Sequence, residues 1–408
     1  MKPLDGLVVL DLTRFLAGPY CTLLLAGLGA EVIRVEPPAG DEYRERSPFG
    51  GPKGASLARQ TDDDIGMTVL HRWRNKKSIT LNLRAPAGVD LFRRLVAHAD
   101  IVVENYLPGT LDKMGLGYAV LETLNPRIVL CSISGFGQHG PYRDWRAFDP
   151  IVQAMSGVSS VTGYPDRPPI RAGAAIGDTS AALYGVIGAL SALRARERTG
   201  KGDWVDVSML DGTFFLLADV LEYATAGLQP ERRGNAHQGN VPFNVYQARD
   251  GWVSLCAVTP DEWRHVLTAI GRTDLIDDPR FEASAANRHA RRDEIDALVQ
   301  QWIGGHTVAG AIEALHAHRV PAGPLRTLPE LFDDPHLRER KMIVGLEHPS
   351  HGSIPGAVGA GMPIKFQHHP AMFDAPAPAL GAHNADVYGR LLGLAAADLE
   401  KLATDGVI

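Results

Sequence analysis

Apolar and polar positions alternate along the first 135 residues in two rhythms. Short blocks at Leu7 to Leu12, Glu31 to Glu36, Asp100 to Glu104 and Arg127 to Ile133 read as strands, and Ser78 to Leu83 alternates as a further one. Between them, Gly18 to Leu28 and Pro86 to Ala97 carry helical spacing, the first closed by Gly29. Strands that alternate with helices in this way predict an α/β fold with a mostly parallel sheet covered by helices. Chemistry in such a sheet belongs at the C-terminal ends of the strands.

Further along, a helix of small residues runs from the Asp178 junction to about Arg196, and Gly200-Lys201-Gly202 breaks it before a strand at Trp204 to Val207. A helix from Met209 to about Ala226 leads into Gln229-Pro230-Glu231-Arg232-Arg233-Gly234, which reads as a domain boundary. The texture changes from about residue 245, where one strand, Trp252 to Ala257, precedes helical stretches with charged faces up to about His318. Val320-Pro321-Ala322-Gly323-Pro324 reads as a return linker, and the Gly-, Pro- and His-rich tail as extended segments covering other structure. The expected layout is 1–228 for the N-terminal part of a large domain, 229–325 for a small domain, and 326–408 for the C-terminal part of the large one.

Charge narrows the partners. A net charge of -6 over 408 residues, with basic residues scattered, offers no concentrated positive surface for nucleic acid. The local group Arg72-Trp73-Arg74-Asn75-Lys76-Lys77 reads as a solvated face, with a local anion site as the alternative. Cys21, Cys131 and Cys256 lie far apart in apolar surroundings, as buried small residues and not as a disulfide framework or zinc site. The apolar stretch Leu7 to Leu10 is too short for a signal-peptide core and no apolar run approaches a membrane span, so a cytoplasmic protein is expected.

The first strand-to-helix turn, Thr13-Arg14-Phe15-Leu16-Ala17-Gly18-Pro19, lacks the glycine pattern of a dinucleotide site, and neither a Walker A sequence nor HExxH occurs. The pair His368-His369 lacks ligand spacing, so no metal is expected. His139, in Gly137-Gln138-His139-Gly140-Pro141-Tyr142, is weak evidence for a base. Asp178 stands alone among small residues in Ala174-Ala175-Ile176-Gly177-Asp178-Thr179-Ser180. A carboxylate there can act as a nucleophile toward an acyl group, and Asp before Thr-Ser-Ala-Ala is equally a helix N-cap pattern. The loop from Gly234 to Phe243 reads as a linker or as a lid.

Taken together, Asp11-Leu12-Thr13 with Ala17-Gly18-Pro19, Leu28-Gly29-Ala30-Glu31-Val32-Ile33, Asn75-Lys76-Lys77-Ser78-Ile79, Val103-Glu104-Asn105-Tyr106 with Pro108-Gly109, Asn125-Pro126-Arg127, the Asp178 run and Gly381-Ala382-His383 resemble the class III CoA-transferases. That family includes formyl-CoA, carnitine and succinyl-CoA-dependent transferases and the related 2-methylacyl-CoA racemases. The resemblance covers essentially the whole chain. It implies a large doubly wound, Rossmann-like domain with a smaller inserted α+β domain, in an interlocked, ring-like homodimer, with a paralogous partner chain as an alternative.

The resemblance further implies an enzyme that moves CoA from an acyl-CoA donor, succinyl-CoA in the leading case, to a free carboxylic acid such as a dicarboxylate. Asp178 matches the nucleophile that forms an aspartyl anhydride and then an aspartyl-CoA thioester. Coenzyme A is then a substrate, and no permanently bound cofactor is expected. By the same resemblance CoA lies against Arg14 and Phe15, near Leu81 and Arg84, and beside Asn105, Tyr106, Lys113 and Arg146, while His237, Gln238 and Gly239 are the catalytic lid candidates, whose backbone N–H groups could hold a developing oxyanion.

Two departures stand out. Leu16 replaces the glutamine of oxalate-using members, and Ala236-His237-Gln238-Gly239-Asn240 replaces their glycine-rich lid, which speaks against formyl or oxalyl transfer. Phe148-Asp149 stands where racemases carry His-Asp, and racemisation needs a base on each face of the α-carbon. The rival readings are such a racemase and a non-catalytic CoA-binding subunit of a mixed complex.

Overall fold

Six strands form the central sheet of the computed structural model, which describes residues 1–408: β1 (Val8–Asp11), β2 (Glu31–Glu36), β3 (Lys76–Thr80), β4 (Ile101–Glu104), β5 (Val129–Ser134) and β6 (Asp203–Ser208). Their order across the sheet is β3-β2-β1-β4-β5-β6, and every pairing is parallel. This is the doubly wound order, in which the chain reverses its direction of travel between β1 and β4 and opens a crevice beyond their C-terminal ends.

The apolar runs of β1, β4 and β5 follow from burial on both faces. Val9, Val32, Ile101, Val103, Val129 and Cys131 face α1 (Ala17–Gly27) and the long helix Ile176–Thr199. Their neighbours Leu10, Ile33, Val102 and Leu130 face the opposite layer, which includes Pro86–Val96 and Asn384–Leu392. The small residues of Ile176–Thr199 let it approach the sheet closely. A Cβ added at Gly185 would stand 3.0 Å from Ile133 and 3.1 Å from Cys21.

By length and mean hydropathy Ile176–Thr199 would suffice to cross a membrane, although no uninterrupted apolar run marks it in the sequence. Its apolar face packs against α1, β5 and β6.

The chain divides into two compact units. One holds Met1–Ser156, Gly173–Leu216 and Phe332–Ile408; the other holds Gly157–Ala172 and Leu217–Leu331. The helix expected from Met209 to Ala226 is two, Met209–Phe215 and Ala218–Thr225, and the chain passes from one unit to the other between them. In the second unit, Phe243–Gln247, Trp252–Cys256 and Ala322–Pro324 form a three-stranded antiparallel sheet where a single strand was expected. The stretch read as a return linker is therefore the third strand. The tail is not only extended: it folds as the hairpin Ile343–His348 with Gly352–Ala360, followed by the helices Asn384–Leu392 and Ala396–Thr404.

The basic group Arg72 to Lys77 is not a solvated face. Trp73, Arg74 and Lys76 are buried, and Arg74 donates to the Ala360 carbonyl at 2.9 Å. Lys76 pairs with buried Asp11 at 2.9 Å. Charge that looked free in the sequence is consumed by long-range partners. Of the cysteines, Cys21 and Cys131 are buried and Cys256 is half-buried, all three as free thiols.

Candidate active site

The turn after β1 is held residue by residue. The Asp11 carboxylate accepts hydrogen bonds from the Thr13 N–H at 2.9 Å and hydroxyl at 2.6 Å, from the Thr22 hydroxyl at 2.7 Å, and from Arg34 and Lys76. Burial alone would raise the Asp11 pKa, but Lys76 and Arg34, helped by the two hydroxyls, hold it far below the usual carboxylate range. Arg34 also donates to the Thr13 carbonyl. One residue on, Arg14 is bound by Asn105, whose Oδ1 accepts from the Arg14 N–H and whose Nδ2 donates to the Arg14 carbonyl, each at 2.7 Å.

Phe15 then adopts a left-handed backbone, φ 64°, and its carbonyl accepts from Arg72 at 2.7 Å. The chain has to pass close to its own turn here. A Cβ at Gly18 would overlap the Thr13 side chain and stand 3.1 Å from Asn105.

This turn brings the first N–H of α1, that of Ala17, to the side of the Asp178 carboxylate, where it lowers that group's pKa. Asp178 is not an N-cap. Its helix begins at Ile176, so it sits in the first turn, while the Gly177 N–H is satisfied at 2.8 Å by Asp149. Burial raises the Asp178 pKa to about 6, reinforced by the nearby Asp149 and opposed by the Ala17 N–H and Arg72. A partly desolvated carboxylate is a stronger nucleophile than a hydrated one, and at neutral pH this one is still mostly ionised.

A cavity of about 440 Å³ opens beyond the ends of β1, β4 and β5. It is lined by Arg14, Phe15, Asn105, Tyr106, Arg146 and Asp178, together with Arg143, Trp145 and Phe148. The helix Thr110–Lys113 separates it from a second concavity of about 530 Å³: Thr110 lines the first, and Lys113 lines the second with Arg84 and Arg93. Cations distributed over two neighbouring hollows suit an elongated anion with several phosphate groups.

Residues 4–384 match the family described as CoA-transferase family III. The chain belongs to that family. Succinyl-CoA–D-citramalate CoA-transferase of Chloroflexus aurantiacus is 40% identical over 410 residues, covering 100% of this chain and 98% of its own length. Succinate–glutarate CoA-transferase of Agrobacterium fabrum is 36% identical over 392 residues, covering 95% of this chain and 96% of its own. A crystal structure of a CAIB/BAIF family protein from Brucella suis superposes with a TM-score of 0.81 at 36% identity, covering 96% of this chain and 99% of that one. The protein is thus a family III CoA-transferase.

Six of the residues singled out in the transferase sequence, Arg14, Phe15, Asn105, Tyr106, Arg146 and Asp178, surround one cavity, and Arg84 and Lys113 share the second. Leu81 lines neither: it is buried in the core layer beneath the sheet, its N–H donating to the Glu36 carbonyl at 2.6 Å. His139 is 92% exposed and lies 3.2 Å from Asp206. His237, Gln238 and Gly239 belong to the second unit. There the His237 Nδ1 accepts from the N–H groups of both Gly239 and Asn240 at 3.0 Å, and the ring stacks on Phe243. Those two N–H groups are thereby occupied within their own loop. A Cβ at Gly239 would overlap the Tyr223 hydroxyl, which would have to move aside.

Sequence reading of the transferase passed over Arg72, Arg143 and the Ala17 N–H. Arg143 was signalled by its place three residues before Arg146 in a Gly- and Pro-bounded loop. The other two emerge only when the β1 turn and the Met67–Arg72 helix meet in three dimensions.

Proposed function

We propose that this CoA-transferase moves CoA from an acyl-CoA donor, succinyl-CoA in the leading case, to a free dicarboxylic acid, with Asp178 as the covalent nucleophile. The observation that carries this reading is a half-buried carboxylate, beside the first N–H of a helix, on the wall of a cavity bordered by three arginines. The names of the two relatives, which pair succinyl-CoA with citramalate and succinate with glutarate, support the choice of donor and acceptor class.

The steps balance as follows. An Asp178 oxygen attacks the thioester carbonyl; the C–S bond breaks, CoA leaves as a thiolate, and a mixed anhydride forms. The thiolate attacks the aspartyl carbonyl, giving aspartyl-CoA and releasing the donor acid with one oxygen taken from Asp178. The acceptor carboxylate attacks aspartyl-CoA, expelling the thiolate and forming a second anhydride. Attack of the thiolate on the acceptor carbonyl releases the new acyl-CoA and restores Asp178. Each intermediate keeps the thioester's reactivity, so exclusion of water from the cavity decides between transfer and hydrolysis.

Phe148, edge-to-face with Phe15 at 5.5 Å, fills the place where a racemase needs a base, which supports transfer over racemisation. We further propose a cytoplasmic, interlocked homodimer; the free thiols and CoA substrates are consistent with a reducing compartment. The test is to mix the protein with succinyl-CoA, trap with hydroxylamine and map the peptides by mass spectrometry. A hydroxamate at Asp178 is expected. An unmodified Asp178 peptide, with deuterium washing instead into the α-position of the substrate, would overturn the reading.

A further inference from the structure

The Asp178 side chain meets a turn whose three preceding residues are each held from outside. Asp11 and Arg34 fix Thr13, Asn105 fixes Arg14, and Arg72 fixes Phe15. The last of these is the one that a β-carbon opposes, because Phe15 is left-handed at φ 64°. Without a donor on its carbonyl, the peptide that follows Phe15 is free to rotate toward an ordinary conformation, carrying the Ala17 N–H away from Asp178.

Arg72 is the last residue of the helix Met67–Arg72 and is half-buried. The Phe15 carbonyl is its hydrogen-bond acceptor, and it makes no ion pair with an acid. Its charge instead acts on Asp178 through space, while burial lowers its own pKa. An arginine carrying one backbone contact and an unneutralised charge behind a carboxylate is poorly explained by stability alone.

We propose that Arg72 is a positioning residue for CoA transfer: it locks the left-handed Phe15 turn so that the Ala17 N–H stays beside Asp178, and it sets a positive charge near that carboxylate. The inference rests on the reading of Asp178 as the nucleophile. The groups facing Asp178 are Asp149, Arg72 and the Ala17 N–H; Tyr43 lies beside Arg72, and Arg14, Arg143 and Arg146 line the same cavity.

The test compares Arg72→Gln and Arg72→Lys in the exchange of labelled succinate into succinyl-CoA across pH. Arg72→Gln is expected to lower kcat by about ten- to a hundredfold, with KM for succinyl-CoA within about twofold, and to move the acid limb of kcat upward by about half a pH unit or more. Arg72→Lys keeps the charge but not the planar fork, so the acid limb returns to its place while kcat recovers only in part. An acid limb unmoved in Arg72→Gln, or full kcat in either variant, overturns the proposal. If Arg72→Gln does not fold, as judged by circular dichroism and Tm, Arg72→Lys still decides: wild-type kcat there refutes the positioning role. Hydroxylamine trapping of the unsubstituted enzyme separates the two claims. Trapping at Asp178 beside an unmoved profile overturns Arg72 alone, whereas absent trapping overturns the nucleophile and Arg72 together.

Discussion

Asn105 pairs with the backbone of Arg14 through both ends of its amide, the two hydrogen bonds each 2.7 Å long. It thereby ties the C-terminal end of β4 to that of β1 at the point where the sheet changes direction. The side chain works as a one-residue strand, and the turn that presents Ala17 to Asp178 hangs from it.

Asn105→Ala removes both bonds. Because Arg14 is exposed and its backbone can be hydrated, the expected loss of stability is modest, ~1 kcal/mol. The kinetic effect should be larger: roughly ten- to a hundredfold in kcat/KM, since misplacement of a reacting group by a fraction of an ångström is costly. Thermal denaturation and steady-state kinetics on the same preparation check both. A variant with lost stability and intact kcat/KM would mean the turn holds itself.

On the proposed mechanism, ionisation of Asp178 sets the acid limb. The attacking form is the carboxylate, so kcat/KM should fall about tenfold per pH unit below an apparent pKa of about 6. Asp178→Asn should abolish transfer yet stabilise the fold. The folded pKa is raised from 3.8 to about 6, so the native state binds the proton more tightly than the unfolded chain, and wild-type stability declines as pH rises through that window. The variant should gain roughly 1–3 kcal/mol at pH 8, shrinking toward zero below about pH 4; chemical denaturation at both values checks the sign.

Arg84 and Lys113 line the second concavity, and on the proposed reading they meet phosphate. Arg84→Ala should raise KM for the acyl-CoA about five- to twentyfold while leaving KM for the acid unchanged. A thioester of dephospho-CoA, which lacks the ribose phosphate, should show the same weakness with wild-type enzyme and little further loss with the variant. Additive losses would place that phosphate elsewhere.

Glu104, the last residue of β4, is buried and accepts from the Tyr106 N–H at 2.8 Å. Burial raises its pKa to about 7, with Asp112 and Asp206 adding to the effect and Ser132 and the Tyr106 N–H opposing it. Stability contributed by the protonated form is lost as pH rises from the ordinary 4.5 to about 7. Glu104→Gln keeps an acceptor for Tyr106 without the charge, so it should flatten this decline and be more stable than wild type at pH 8, by roughly 2–3 kcal/mol. Equal slopes in the two proteins between pH 5 and 8 would contradict it.

The sheet was legible because strands buried on both faces must be apolar throughout, as Val9 with Leu10 and Val102 with Val103 illustrate. Asp178, which lines the cavity, drew notice in the sequence because small neighbours on both sides leave it alone in its segment. Lys76 and Arg72 were misread for one reason: a charge looks solvated until its partner is known, and Asp11 and Phe15 lie 65 and 57 residues away. The same limit hid the third strand of the second unit, since Ala322–Pro324 is too short to show a period and is strand only because Trp252–Cys256 offers it an edge.

The most direct test of the account follows oxygen. The enzyme is given succinyl-CoA and succinate labelled with heavy oxygen in its carboxylates, and the Asp178 peptide is weighed after turnover. If the acceptor carboxylate attacks an aspartyl thioester, one heavy oxygen must remain on Asp178 when the anhydride is cleaved, and that is the expected result. Exchange of CoA between the two succinates with Asp178 left unlabelled would show that the acids react without passing through it.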